Sequence, residues 1–141
     1  CSSDLLVPGV LELRQFLEDA GIEMAVASST FRDEVFYRME KAGLDHLFKT
    51  VLGGDDIKNP KPAPDIFLKA ATALKIAPAD CLEIEDSESG VLAANAAKMN
   101  VVVIQNLSPI TEIMHKKADA IFPSHAAFLQ FLKKDESFLY A

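Results

Sequence analysis

Short, mostly apolar runs alternate along this chain with stretches in which apolar residues recur at helical spacing. The apolar runs lie at 22–27, 50–52, 81–84, 101–104 and 120–122, and the helical stretches at 10–20, 32–41, 65–74, 93–97, 109–116 and 125–133. Runs of this kind are typical of strands that are covered on both faces. We therefore predict an α/β fold, with a parallel sheet and helices on both faces.

The length and composition of the chain limit the number of domains that it can form. It has 141 residues, half of them hydrophobic, which suits one compact domain with a buried core. No internal repeat, low-complexity tract or flexible linker divides it, so we predict a single domain over 1–141. The chain opens on Cys1 rather than on methionine, and 5–7 run directly into the first helical pattern. We expect it to be a fragment of a longer protein.

The charge and the cysteines narrow the choice of partners. A formal net charge of -7 opposes binding to nucleic acid or to anionic lipid, so we expect a small molecule or a protein. An anionic substrate then requires a local positive group or a bound metal. The two cysteines, Cys1 and Cys81, form no disulfide framework or zinc pattern, and the sequence has neither a membrane-spanning run nor a signal peptide. We expect a cytoplasmic protein with no membrane partner.

Three polar clusters follow predicted strands or lie close to them. They are the hydroxyls at 28–30, Lys61 in the proline-rich loop 58–64, and the Glu-Asp-Ser string at 85–87. Ligands of open α/β sheets bind just beyond the carboxyl ends of the strands. Each cluster also has a simpler interpretation: a cap for the next helix, a solvated surface lysine, and an acidic pair at a helix entry.

Taken together, the clusters predict a site for a phosphorylated ligand. Hydroxyl and backbone N–H donors at Ser28 and Ser29, with the ammonium of Lys61, can hold a phosphoryl group. The carboxylates of Glu85 and Asp86 are the oxygen ligands that Mg²⁺ prefers, and one or two suffice because Mg²⁺ keeps several waters. The metal would also supply the positive charge that the acidic chain lacks.

The order and content of these strings resemble motifs II, III and IV of the haloacid dehalogenase-like superfamily. The strings are Ser28 after a strand, Lys-Pro-Ala-Pro-Asp-Ile-Phe at 61–67, and Glu-Asp-Ser-x-x-Gly at 85–90. Together they are similar to the β-phosphoglucomutase-like phosphatases and phosphomutases, over nearly the whole chain. The resemblance implies a Rossmann-like core, a Mg²⁺ cofactor and a small phosphorylated metabolite as substrate, with a sugar phosphate as the family-level expectation.

The resemblance also implies a role for each matched residue. Ser28 corresponds to the motif II hydroxyl that hydrogen-bonds the transferring phosphoryl group, and Ser29 follows it where a backbone N–H assists. Lys61 corresponds to the lysine that neutralises developing charge and orients the nucleophile. Asp86 corresponds to the motif IV magnesium ligand, with Glu85 as a second or water-mediated ligand.

One motif of the family is missing. Family members carry Asp-x-Asp-Gly-Thr on a first strand, with its first aspartate as the nucleophile, and no such string occurs in this chain. Asp4 and the pair at 55–56 are poor substitutes. The family also inserts a helical cap before the region where this chain begins, so the resemblance implies a core without its N-terminal strand and its cap domain. That loss would expose strand edges and favour association with the missing segment or with another copy.

Three functional hypotheses follow. The first is the motif II to IV part of a Mg²⁺-dependent phosphatase or phosphomutase that works through an aspartyl-phosphate and is inactive without the segment that supplies the nucleophile. The second is a non-catalytic or regulatory module that retains the phosphate and magnesium cradle. The third is a plain α/β domain in which the motifs only cap helices.

The other aromatic and histidine residues indicate packing. Phenylalanines within apolar patterns are predicted to lie in the core: Phe36, Phe48, Phe67, Phe128 and Phe131. The isolated histidines His46, His115 and His125 have no metal-ligand spacing. Phe31, beside the hydroxyl cluster, is the one aromatic residue placed to face a ligand, although packing is the commoner role of such a residue.

Overall fold

The computed structural model describes residues 9–139, which contain six α-helices and five strands. The helices are α1 (Val10–Asp19), α2 (Arg32–Lys41), α3 (Asp65–Leu74), α4 (Glu88–Ala96), α5 (Glu112–Lys117) and α6 (His125–Lys134). The strands are β1 (Ala25–Ala27), β2 (Thr50–Leu52), β3 (Leu82–Glu85), β4 (Asn100–Ile104) and β5 (Ala120–Phe122). Within 9–139, no helix combines the length and the apolar composition that crossing a bilayer demands. The predictions for Cys1, Asp4 and 5–7 fall outside the described residues.

The alternation of strands and helices confirms the predicted α/β class. Both α2 and α3 begin and end at the predicted residues, as does β2. The first strand is shorter than the predicted run at 22–27, because only 25–27 pair with β2. The fifth helix begins at Glu112 rather than Pro109. The Thr111 hydroxyl accepts a hydrogen bond from the Met114 N–H and so fixes the start of that helix.

All strand pairs are parallel, but they form two sheets. In the first, β1 pairs with β2; in the second, β4 lies between β3 and β5. Helix α3 packs against β1 and β2 and also against α4, which packs on β3 and β4. The two sheets are therefore connected through the neighbouring helices α3 and α4, and no strand within 9–139 joins them.

Helices cover both faces of the strands. On one face, α3 and α4 bury a cluster that contains Phe67 and reaches both sheets, through Leu52 and Val103. On the other face, α1 and α6 cover the second sheet with a cluster that contains Phe128 and Val102. A smaller cluster joins α2 to β2. Phe67 and Phe128 are completely buried, so both predictions of a core position are confirmed.

The prediction that Phe36 lies in the core is wrong. Its ring is 37% exposed on α2 and lies 5.7 Å from the guanidinium carbon of Arg32. Only one stripe of α2, formed by Val35 and Met39, is buried, so the adjacent position 36 faces outward. Phe48 and Phe131 are half-buried against the core clusters.

The edges of β1 and β3 that lie away from their partner strands pair with no other strand of residues 9–139. β4 has a neighbour on each side and is buried from Val101 to Ile104, whereas β1 and most of β3 are only half-buried. Unpaired N–H and C=O groups along a strand edge form a template for another strand. This is the arrangement expected when a strand between β1 and β3 is absent from the described residues.

Candidate functional site

Ser28 follows β1 directly, at the carboxyl edge of the first sheet, and is completely buried. Its N–H donates to the Leu52 carbonyl at 2.9 Å, which continues the pairing with β2 by one residue. Its Oγ accepts a hydrogen bond from the Thr30 N–H at 3.1 Å. The hydroxyl hydrogen is the donor that a phosphoryl oxygen would require.

An aspartate from another loop, and not Ser28 or Ser29, receives the first N–H of the next helix. Phe31 is the N-cap residue of α2 and offers no side-chain acceptor. The Arg32 N–H donates instead to Asp55 Oδ1 at 2.7 Å. Asp56 accepts a hydrogen bond from the Gly53 N–H at 2.8 Å. Asp55 therefore joins the loops after β1 and β2, and Asp56 stabilises the loop after β2.

Lys61 is not a solvated surface lysine, so that simpler interpretation is wrong. Its Nζ lies 3.0 Å from Glu85 Oε2, and the two side chains are only 7% and 1% exposed. The ammonium also lies 4.9 Å from the ring centroid of Phe67. A pair buried in this way is strongly destabilised when one partner is removed, because the other charge is left uncompensated.

The carboxylate of Glu85 is held at both oxygens. Oε2 accepts from Lys61, and Oε1 accepts from the Ser87 hydroxyl at 3.0 Å and from the Asp86 N–H at 3.2 Å. Ser87 also caps α4, since its Oγ accepts from the Gly90 N–H at 3.1 Å. The turn at 85–90 thus fixes a buried negative charge beside Lys61.

Gly90 lets the first turn of α4 approach Glu85 closely. A methyl group at this position would overlap the carboxyl group and Cγ of Glu85. Gly90 is buried, and the side chain of Glu85 occupies the space in which its Cβ would lie. The position therefore requires glycine because of the close contact, not because of its backbone angles.

Asp86 is the better placed of the two carboxylates for direct contact with a metal. It is half-buried, and its Oδ2 accepts a hydrogen bond from Asn106 Nδ2 at 3.3 Å. Glu85 already has both oxygens engaged and lies beside the Lys61 cation, which suits a water-mediated contact. No group of three or more His, Cys, Asp or Glu side chains within 9–139 is placed to hold a metal. These residues fit Mg²⁺ only if waters and a phosphate supply the other ligands.

Ser29 and Lys61 line one cavity of about 200 Å³. Its other walls are Phe31, Gly54, Ile57, Pro60 and Ile66. The structure thus places Ser29 beside Lys61, Lys61 beside Glu85, and Glu85 next to Asp86. Ser28 is buried and does not line this cavity, and Asp86 lines a smaller one on the other side of Glu85.

Three further residues at this edge were not predicted to belong to the site. Gln105, Asn106 and His125 line the small cavity beside Glu85 and Asp86. Burial lowers the pKa of His125 below its usual 6.5, against the opposing charge of Asp86. Asn106 follows β4 at the carboxyl edge of the sheet. The rule that ligands bind beyond the carboxyl ends of the strands therefore also selects Asn106. His125 begins α6, and its place beside Asp86 depends on the order of the strands.

Glu83 is an unexpected carboxyl group in β3. It lies opposite Val101, a residue of the main core cluster. Desolvation, with a smaller contribution from the charge of Glu85, raises the pKa of Glu83 from its usual 4.5 to about 8, although Lys61 acts in the opposite sense. Glu83 is therefore protonated in the folded protein at neutral pH.

Glu83→Gln is expected to remove a pH dependence of stability. Between pH 4.5 and about 8 the folded state holds a proton that the unfolded state has lost, so the free energy of unfolding falls as the pH rises. The slope is at most about 1.4 kcal/mol per pH unit because a single proton is involved, and the partial exposure of Glu83 reduces it somewhat. Urea denaturation at pH 5 and pH 8 should show the variant gaining about 3 kcal/mol over the unaltered protein at the higher pH. The exposed Glu40→Gln should show no such gain, and equal slopes for Glu83→Gln and the unaltered protein would contradict the prediction.

Comparison with known proteins places the chain in a family. A model of the haloacid dehalogenase-like hydrolases matches residues 5–104. The bifunctional riboflavin kinase/FMN phosphatase of Arabidopsis thaliana is 37% identical over 119 residues, which cover 84% of this chain and 31% of that protein. The phosphorylated carbohydrates phosphatase of Thermotoga maritima is 38% identical over 90 residues, which cover 64% of this chain and 42% of that protein.

The fold agrees with the sequence match. The crystal structure of β-phosphoglucomutase from Clostridium difficile superposes with a TM-score of 0.79 at 26% identity, covering 99% of this chain and 60% of that chain. The chain spans less than two thirds of the length of each of these relatives. The likeness confirms the Rossmann-like α/β fold that the resemblance implied. The chain belongs to the haloacid dehalogenase-like hydrolase family.

Proposed function

We propose that this chain is the phosphoryl-binding and Mg²⁺-binding part of a phosphatase or phosphomutase that works through an aspartyl-phosphate. The observation that carries the proposal is the buried Lys61–Glu85 ion pair, which lies between the cavity lined by Ser29 and the carboxylate of Asp86. A buried lysine fixed by a fully hydrogen-bonded carboxylate is a preorganised positive charge. A phosphoryl group that enters the cavity would contact an ammonium that folding has already desolvated and oriented.

Different residues are proposed to bind the phosphoryl group and to balance its charge. The Ser29 N–H donates to its oxygens, and Lys61 balances the charge that develops on them. The buried Ser28 hydroxyl does not line the cavity and is proposed to donate from the end of β1 instead. Glu85 positions Lys61 and does not contact the substrate. The ester P–O bond breaks as a carboxylate oxygen bonds to phosphorus, and the leaving oxygen takes a proton. Water, or a second hydroxyl in a mutase, then removes the phosphoryl group.

Asp86 is the proposed direct ligand of Mg²⁺, with Glu85 in contact through a water. When bound, Mg²⁺ would supply positive charge next to the phosphoryl oxygens. Asn106, which donates to Asp86 Oδ2, fixes the orientation of that carboxylate. Glu85 ends β3, and Asp86 and Asn106 follow strands of the second sheet, whereas Ser28 and Ser29 follow β1 of the first sheet. The Lys61–Glu85 ion pair therefore links residues that come from the two sheets.

The nucleophilic aspartate is proposed to lie outside residues 9–139. Within that range, Asp55 and Asp56 hold the loops after β1 and β2 through hydrogen bonds to backbone N–H groups. The unpaired edges of β1 and β3 offer a place for one further parallel strand, whose carboxyl end would meet Ser28 and Asp86. Such a strand, from another segment or another polypeptide, would carry the nucleophile into the site.

A small phosphorylated metabolite is the proposed substrate, and the reducing cytoplasm the proposed location. Relatives are named for phosphatase activity on FMN and on phosphorylated carbohydrates, which supports a phosphate monoester and includes sugar phosphates. The net charge of -7 supports a metal-assisted site, because the protein as a whole repels anions. Cys81 is a free thiol, as a reducing compartment would keep it.

Asp86→Asn tests the proposed function in the full-length protein that contains this chain. The unaltered protein should hydrolyse 4-nitrophenyl phosphate only when Mg²⁺ is added. The variant should need about a hundredfold more Mg²⁺ for half-maximal activity, because an amide is a poorer ligand than a carboxylate. The surface variant Asp80→Asn should leave the Mg²⁺ requirement unchanged. Phosphate and Mg²⁺ binding without turnover of any ester would instead support a non-catalytic binding module.

A further inference from the structure

Phe31 is an exposed aromatic residue at the rim of the cavity that contains Lys61. Its ring is 69% exposed, and it lines the cavity together with Ser29 and Lys61. Exposing the apolar surface of an aromatic ring to water is unfavourable in free energy. Exposed aromatic rings beside a polar site are therefore frequent contact points for ligands.

The backbone on both sides of Phe31 is fixed by hydrogen bonds. The Thr30 carbonyl accepts from the Gly54 N–H at 2.8 Å, and the Arg32 N–H donates to Asp55 Oδ1 at 2.7 Å. The Phe31 carbonyl accepts from the Val35 N–H at 3.0 Å, as the first hydrogen bond of α2. Since the backbone is held in this way, a ligand that contacts the ring does not have to order the loop first.

The cavity walls favour an apolar group next to the phosphoryl site. Ser29 and Lys61 are the polar residues of the described lining, and the Ser29 N–H and the Lys61 ammonium are assigned to the phosphoryl group, which leaves the Ser29 hydroxyl for other contacts. The remaining walls are Ile57, Pro60 and Ile66, with Gly54. A polyol that entered would find one side-chain partner in this lining, the Ser29 hydroxyl, and each hydroxyl held against the apolar walls instead would cost about 1–3 kcal/mol. A planar aromatic group would lose little and would stack on the ring.

We propose that Phe31 is a specificity-determining residue that selects phosphate monoesters whose organic part is planar and aromatic. The inference rests on the proposed function, because it requires the phosphoryl group to lie between Ser29 and Lys61. The organic part then occupies the cavity and stacks against the Phe31 ring. Esters of polyols bind through the phosphoryl group alone and gain nothing from this residue.

The test compares two esters on variants of the full-length protein. Phe31→Ser should lower kcat/KM for 2-naphthyl phosphate by about tenfold or more, and should change kcat/KM for glycerol 3-phosphate by less than about twofold. Phe31→Tyr should have the same kcat/KM for 2-naphthyl phosphate as the unaltered protein, because the ring is kept. Tyr37→Ser is the matched control, since Tyr37 is a 52% exposed aromatic residue of α2 that does not line the cavity. Each ester is compared only with itself across variants, so its intrinsic reactivity cancels.

Two results would overturn the inference alone and leave the proposed function in place. An equal loss with both esters, at an unchanged melting temperature, would mean that Phe31 contacts protein rather than substrate. No loss with 2-naphthyl phosphate would mean that the ring takes no part in binding. Absence of turnover of both esters by the unaltered protein would overturn the proposed function, and the inference with it. That outcome is distinct from the other two.

Discussion

Lys61→Met is expected to lower phosphate-ester turnover by about a thousandfold and to destabilise the fold by about 3–5 kcal/mol. The loss of turnover follows from removing Lys61, the positively charged residue among the described residues that line the cavity. The loss of stability has a separate cause, which is the charge of Glu85 left buried at 2% exposure without its partner. Methionine keeps most of the side-chain volume, so a void contributes little. Steady-state kinetics and urea denaturation measure the two effects on one sample.

A second substitution separates the two effects of Lys61→Met. In Lys61→Met/Glu85→Gln the buried charge is neutralised, so most of the lost free energy of unfolding should return while turnover stays low. Lys58→Met, an exposed lysine in the same loop, should change neither property by a measurable amount. If turnover returned together with stability in the double variant, Lys61 would have a structural role only.

Gly90→Ala is expected to destabilise the protein by about 2–4 kcal/mol and to lower turnover by about a hundredfold or more. The new methyl group occupies the space of the Glu85 side chain, so that side chain must move away from Lys61. Helix propensity alone predicts that Gly90→Ala stabilises the protein, because alanine in a helix is favoured over glycine by about 1 kcal/mol. The sign of the measured change therefore decides between close contact and propensity.

The control for Gly90→Ala lies in the same helix. Ala96→Gly, at the exposed end of α4, should cost about 0.5–1 kcal/mol and leave turnover unchanged. Thermal unfolding measures the change in stability, and the rate with 4-nitrophenyl phosphate measures the change in turnover. A Gly90→Ala protein that is more stable than the unaltered one and equally active would show that Glu85 has room to move without consequence.

The sequence predicts those elements whose pattern is local. α3 is marked by prolines before Asp65 and by an apolar stripe, and its ends are as predicted. β4 is apolar from Val101 to Ile104 because strands bury it on both sides and helices on both faces. The carboxyl edge of a parallel sheet is where a ligand is expected, so Ser29 and Glu85 could be selected as candidates in advance, whereas Lys61 lies in a loop and is selected by its motif.

The remaining features depend on contacts between distant parts of the chain. The partner of Lys61 is Glu85, 24 positions away, and no local rule connects the two. Asp55 receives the first N–H of α2 across 23 positions, although hydroxyls stand directly before that helix. Glu83 interrupts an apolar run, and its raised pKa comes from desolvation, which a sequence does not show.

The most direct test of the central claim is to locate the phosphorylated residue. The full-length protein is incubated with a phosphate ester and Mg²⁺ and quenched in acid, and the acyl-phosphate is trapped with hydroxylamine before peptide mapping by mass spectrometry. The label is expected on an aspartate outside residues 9–139, and the Lys61→Met protein should carry far less of it. Label on Asp55, Asp56 or any other residue of that range would contradict the account, as would turnover without any covalent phosphate.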